Sequence, residues 1–112
     1  MRESPIFTHL HDLLLWLLQT TQKFPREHRF GLAQRLQDQA FDLQHALVAA
    51  AIDPQYSEDH LIRADVALTD LRKTLLLCQE LGLLQAGQYR HVSEMVSEIG
   101  RLLGGWRNPD KE

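Results

Sequence analysis

Several residue types are scarce in this sequence, and each scarcity excludes a class of protein. One cysteine among 112 residues excludes an internal disulfide framework and a cysteine-based zinc cluster. Twelve basic against fifteen acidic residues give a net charge of −3, so composition alone does not indicate a nucleic-acid-binding protein. The apolar run at residues 13–18 is far shorter than the roughly 20 residues that span a bilayer, and no cleavage site of a secretory signal follows it. We therefore expect one small cytoplasmic domain.

Glycine and proline are sparse, and their positions divide the chain into four segments. Breaks are predicted at Phe24-Pro25, at Asp53-Pro54 and between Gly82 and Gly87, and Gly104-Gly105 is predicted to end the last segment. Within each segment apolar residues recur every three or four positions, which is the period of an amphipathic helix. The third segment shows it most clearly, with Leu61, Ala64, Leu68, Leu71, Leu75 and Cys78. Four helices with short connections predict an all-α, antiparallel up-down four-helix bundle.

The ends of these helices carry recognisable signals. Ser4 before Pro5 predicts an N-cap followed by proline at the first helical position. Ser57 is predicted to cap the third helix, with Glu58 and Asp59 in its first turn facing the positive end of the helix dipole. We expect the bundle domain to cover residues 1–107 and residues 108–112 to form a flexible polar tail.

Some apolar residues lie outside the predicted core stripes. The apolar surface of the first helix is widened by Leu13, Leu15, Trp16 and Leu18. The third and fourth helices are widened by Leu76, Leu77, Val96 and Leu103. A large exposed apolar patch is unusual for a monomer. We therefore predict a homo-oligomer with Leu13, Trp16 and Leu18 at the subunit interface.

The sequence offers little for catalysis. A di-metal site in a bundle needs Glu-x-x-His pairs on two helices, whereas Asp42 with His45 and His91 with Glu94 have no matching twin. Cys78 lies on a predicted core stripe, where a cysteine behaves as a small hydrophobe. No glycine-rich phosphate loop opens a helix. We predict a protein that is not an enzyme and holds no metal or cofactor, with a metal- or ligand-binding bundle as an alternative.

Positive charge is concentrated in one stretch. Residues 23–35 contain four cations, Lys23, Arg26, Arg29 and Arg35, against the single acid Glu27. Such a cluster at a helix start can bind phosphates, although solvated helix ends with local ion pairs have the same composition. Phe24 and Phe30 lie among these cations and are expected to pack the turn. Further candidate contacts are Arg72, Lys73, Arg90, Arg101 and Arg107.

A set of short motifs is spread along nearly the whole chain. The first stretches are Ser4-Pro5-Ile6-Phe7, residues 12–18, Phe24-Pro25, Arg29-Phe30 and Leu32-Ala33. Residues 81–84, Tyr89, residues 91–93 and the closing run at residues 98–106, which ends in Gly-Gly-Trp, complete the set. Together these motifs resemble the accessory variability determinant (Avd) proteins of diversity-generating retroelements. A sister family, the four-helix proteins of ribosomal RNA intervening sequences, shares the Phe-Pro turn. Its Asn-Ile-Ala-Glu-Gly pattern is missing here, where residues 44–48 read Gln-His-Ala-Leu-Val.

This resemblance implies a ring-like homopentamer of four-helix bundles that acts as a non-enzymatic scaffold. It implies binding to the retroelement's reverse transcriptase and to template RNA or cDNA, in support of mutagenic retrohoming. A bundle of the intervening-sequence type, with RNA or ribosome association, is the alternative. The net charge of −3 departs from the basic character of many Avd proteins. It therefore favours contact with the polymerase over direct binding of RNA as the expected role.

Overall fold

The computed structural model describes residues 5–109, which form four α-helices. These are α1 (Pro5–Thr21), α2 (Gln34–Ile52), α3 (Ser57–Glu80) and α4 (Ala86–Arg107). Helix α1 packs on α2 and α4, and α3 packs on the same two neighbours. This closed set of neighbours, joined by short connections, confirms the predicted all-α four-helix bundle. Its long axis measures 43 Å.

The core consists of the predicted helical stripes. Every residue of the predicted α3 stripe is buried, and so are Leu36, Ala40, Leu43, Leu47 and Ala50 of α2. Val92 and Ile99 of α4 are buried, and Trp106 packs edge-on against Phe7 of α1 with ring centroids 6.3 Å apart. The periodicity of the sequence therefore identified the inward face of α1, α2 and α3, and on α4 it identified Val92 and Ile99 as core residues.

The prediction that Leu13 lies at a subunit interface is wrong, because its side chain is 0% exposed within a single chain. Val96 and Leu103 are likewise core residues of α4 and add no outer apolar surface. A helix packed against two neighbours buries a broader arc than one stripe, so residues beside the stripe enter the core. Leu76 and Leu77 do remain exposed on α3.

Two of the predicted helix ends also differ from the structure. Ser57 is the first residue of α3 and makes no capping hydrogen bond, because a 3₁₀ turn at Pro54–Tyr56 leads directly into the helix. Gly104 and Gly105 lie within α4, which continues to Arg107. Ser4, the predicted cap of α1, lies outside the described residues.

The connection between α3 and α4 requires glycine. Gly82 has a φ of 78°, a left-handed conformation that favours glycine. Its N–H donates to the Gln79 carbonyl at 3.0 Å, and the Leu83 N–H donates to the Cys78 carbonyl at 2.9 Å. This is a Schellman motif, which satisfies the last carbonyls of α3. Helix α4 then begins with a capping box formed by Gln85 and Gln88.

Candidate nucleic-acid interface

The predicted basic cluster lies at one end of the bundle, where the chain passes from α1 to α2. We call Lys23, Arg26, Arg29 and Arg35 the basic corner. The chain turns after Thr21, whose hydroxyl donates to the Leu17 carbonyl at 2.7 Å and accepts from the Gln37 amide at 2.9 Å. Phe24 is buried and anchors the turn in the core, as expected from the sequence.

Two short helical turns follow, and they contain Arg26 and Arg29 of the basic corner. A 3₁₀ turn at Arg26–His28 continues into a π-helical turn at Arg29–Ala33, which continues into α2. All four cations of the corner are exposed. Within residues 5–109, none of the four forms a salt bridge with an acidic side chain. Their charges are therefore free to attract an anionic partner.

Phe30 does not pack the turn as expected, because its side chain is 93% exposed. It lies in the π-helical turn between Arg29 and Gly31. π turns are rare and are frequently found at functional sites. No sequence pattern indicates the π turn. The exposure of Phe30 was not expected either, since a phenylalanine among cations is ordinarily expected to bury its ring.

A cleft of about 530 Å³ lies next to Phe30. Its lining includes Arg35 but also Asp38, Asp42 and Asp70. Asp38 accepts a hydrogen bond from the side chain of Gln34 at 3.0 Å. The cleft side of Phe30 is therefore acidic, and an anionic partner would approach from the side of Arg26 and Arg29.

Two other predicted contacts are engaged in ion pairs. Arg107 donates to Asp65 at 2.8 Å and to Glu58 at 3.1 Å, which ties the end of α4 to α3. Arg101 makes two hydrogen bonds of 2.8 Å to Glu98, and these lower the pKa of the Glu98 carboxyl. Both guanidinium charges are thus compensated by neighbouring carboxylates.

Arg72 and Arg90 border a surface groove between α3 and α4, while Lys73 is exposed on α3. Tyr89, Ser93 and Ser97 line the groove together with these arginines. Glu94 and Glu98 line it as well, so its charge is mixed. The nine predicted cations therefore do not form one surface. Within residues 5–109 only Arg101 and Arg107 of the nine form salt bridges, and the basic corner is the largest group of unpaired cations in one stretch of the chain.

The two remaining residues of the predicted subunit interface lie on different sides of α1. Trp16 is half-buried and its ring lies 5.9 Å from that of His91 on α4. Leu18 is half-buried too, and a separation of two positions turns side chains roughly 200° apart on a helix. Exposed apolar residues on α2 were not predicted: they are Phe41, Val48 and Ile52, whose spacing places them on one side of that helix.

The buried and titratable groups show little that favours catalysis. Burial raises the pKa of the Cys78 thiol to about 11, and a nucleophilic cysteine requires the opposite shift. His60 bonds to Asp53 at 3.1 Å and to the guanidinium of Arg63 at the corner between α2 and α3. Within residues 5–109, no three His, Cys, Asp or Glu side chains are arranged to hold a metal ion.

No helix within residues 5–109 is long and apolar enough to cross a membrane. Comparison with curated proteins gives no match. A family model described as bAvd-like matches residues 6–109, which is almost the whole chain and includes the basic corner and the Gly-Gly-Trp run. This match confirms the resemblance to accessory variability determinant proteins. The chain therefore belongs to the bAvd-like family.

Proposed function

We propose that this protein is a non-enzymatic accessory factor of a diversity-generating retroelement. In this role it forms a homo-oligomer in the cytoplasm, a pentamer by the resemblance, and engages the reverse transcriptase together with template RNA or cDNA. The family match over residues 6–109 supports the accessory role. The basic corner supports a contact with nucleic acid.

The observation that carries the nucleic-acid contact is the exposure of four cations without acidic partners in the described chain. In a ring of identical subunits this corner recurs once per subunit, so a local charge excess becomes a belt of positive potential. A protein with a net charge of −3 can bind phosphates in this way. Salt screens exposed charges that lie more than a Debye length apart, so acidic side chains elsewhere on the surface do not repel a phosphate at the basic corner. Binding of this kind releases counterions and weakens steeply with salt.

The test is a pair of double charge reversals measured by RNA binding at two salt concentrations. Arg26→Glu with Arg29→Glu should weaken binding and reduce its salt dependence, while the mass of the oligomer stays unchanged. Lys73→Glu with Arg90→Glu changes the net charge equally and should have a smaller effect. If the two double variants bind alike, or if only the second loses binding, the basic corner is not the contact.

For the oligomer, the structure favours a contact on the outer side of α1 and α2. The hydrogen bond between Thr21 and Gln37 sets the register of this antiparallel pair and places Leu18 at the level of Phe41. We therefore assign the subunit contact to the outer apolar face, defined as Leu15, Leu18, Phe41, Val48 and Ile52. Four of these five side chains are exposed and the fifth, Leu18, is half-buried. Burying apolar surface of this kind is the main driving force of protein association.

A further inference from the structure

Phe30 is the most exposed large apolar side chain in residues 5–109, at 93% of its surface. It follows Arg29 directly and lies one short turn after Arg26, both exposed. The next residue is Gly31, where a Cβ would meet no atom within 4 Å, so no side chain crowds the backbone that follows Phe30. The structure thus presents an accessible aromatic face among cations that have no acidic partner in the described chain.

We infer that Phe30 stacks on a base and makes the basic corner a site for single-stranded nucleic acid. This inference rests on the proposed function and adds to it the form of nucleic acid and the residue that selects it. A base stacks on the Phe30 ring while Arg26 and Arg29 contact the phosphates on either side of it. Proteins that bind single strands combine these two elements, a cationic groove and an aromatic platform.

Charge complementarity identifies a polyanion as the occupant. An apolar protein segment would cover Phe30 but would leave Arg26 and Arg29 without anions, and a duplex would satisfy the cations while offering no base face to the ring. A single strand meets both requirements, because its phosphates and unpaired bases are accessible together. The acidic cleft on the other side of Phe30, lined by Asp38 and Asp42, repels phosphates and so fixes the side on which the strand runs.

The helical setting gives the platform a defined position. The π-helical turn at Arg29–Ala33 continues into α2 without a break, and its last residue, Ala33, is buried in the core. The backbone under Phe30 is therefore held by the bundle, and stacking need not order a loose loop. Ordering costs of that kind reduce the affinity of flexible sites.

The experiment compares single-stranded oligo(U) of about 16 nucleotides with the oligo(A)·oligo(U) duplex of the same length, using the full chain in its native assembly. Phe30→Ala should lower affinity for the single strand about five- to hundredfold, the range expected for one stacked base. Phe30→Trp should retain that affinity, because tryptophan also stacks. Duplex binding should change little in either variant.

Tyr56→Ala is the matched control, since Tyr56 is an exposed aromatic beyond the other end of α2, roughly 30 Å away by helix rise. It should bind both probes as the unmodified chain does. If Phe30→Ala leaves single-strand affinity unchanged while Arg26→Glu with Arg29→Glu abolishes it, the stacking role is wrong and the proposed function stands. If the unmodified chain binds neither probe, both fail.

One further outcome separates a subunit contact from a nucleic-acid contact. Light scattering on Phe30→Ala should give the same particle mass as the unmodified chain. A drop in mass, with single-strand affinity falling no more than duplex affinity, would show that Phe30 contacts another copy and would overturn the inference.

Discussion

The guanidinium of Arg72 lies against Gly100 of α4, where a Cβ would be 2.5 Å from its Nη2 atom. The absence of a side chain at Gly100 is what allows Arg72 to reach from α3 across the backbone of α4. Gly100 belongs to the closing run by which the chain resembles Avd proteins, and this contact gives that glycine a structural role. We expect Gly100→Ala to displace the Arg72 side chain and to change stability by less than about 1 kcal/mol, because the displaced end is flexible and exposed.

Gly104→Ala is the matched control for that substitution in the same helix. A Cβ at Gly104 would meet no atom within 4 Å, so it should stabilise the helix by the full difference in propensity, about 0.5–1 kcal/mol. Urea unfolding followed by circular dichroism, at equal protein concentrations, measures both variants. Equal gains for the two alanines would show that Arg72 does not occupy the position beside Gly100.

The ion pairs of Arg107 should matter for stability and not for nucleic-acid binding. Arg107→Gln removes the bonds to Asp65 and Glu58 that join α4 to α3, and we expect a loss of about 1 kcal/mol or less because both acids are largely solvated. Arg101→Gln, which removes an exposed pair within one helix, should cost less than Arg107→Gln. A strong loss of RNA affinity in Arg107→Gln would contradict this assignment.

Cys78 should make stability depend on pH above 9. The thiol of the unfolded chain ionises near its ordinary pKa of 9.0, whereas burial raises the pKa of the folded thiol to about 11. The unfolded state therefore binds fewer protons in this window, and the free energy of unfolding falls by up to about 1 kcal/mol per pH unit near pH 10. The contribution is fully present below pH 9 and is lost as pH rises toward 11.

Cys78→Ala provides the comparison, since the two proteins differ in their ionisable groups only by this thiol. Urea unfolding at several pH values should give a steeper decline for the unmodified chain than for the variant. If the free energy of unfolding falls equally with pH in both proteins, the Cys78 thiol has the same pKa in the folded and unfolded states.

Charges placed on the outer apolar face should dissociate the oligomer. Val48→Asp with Ile52→Asp puts two carboxylates on exposed positions of α2, where burial against another subunit would be unfavourable. Light scattering should show the unmodified chain as a particle several times 13.0 kDa and the variant as a monomer with the same helix content. Leu81→Asp, at an exposed leucine just beyond α3, should leave the particle mass unchanged. An unmodified chain that runs as a monomer would contradict the oligomer itself.

The sequence predicted most of the fold because apolar periodicity reports which side of a helix faces inward. The complete burial of the α3 stripe from Leu61 to Cys78 shows how reliable that signal is in a small bundle. The width of the buried arc was not predictable in the same way. Leu13 belongs to the core because α1 packs on two neighbours, a tertiary fact that a single-helix pattern does not contain.

The candidate site was predictable in its charge and not in its shape. The cation spacing identified the basic corner, since a run of like charges with few acids nearby stands out in a sequence. The pairing of Arg107 with Asp65, 42 positions away, depends on how α4 lies on α3 and has no local signal. Phe30 was misjudged for a similar reason, because the π-helical turn that carries it has no sequence signature.

That π-helical turn has a consequence for how the chain can diverge. A π turn takes about one residue more than an α turn to complete a rotation, so its extra residue can be lost with little change in the angular positions of the residues on either side. Removing Gly31, where a Cβ would meet no atom within 4 Å, should therefore convert the turn to α-helix while leaving Ala33 and the core stripe of α2 in place. The bundle thus contains a point at which a change of one residue in chain length can be absorbed without disturbing the packing that keeps the protein folded.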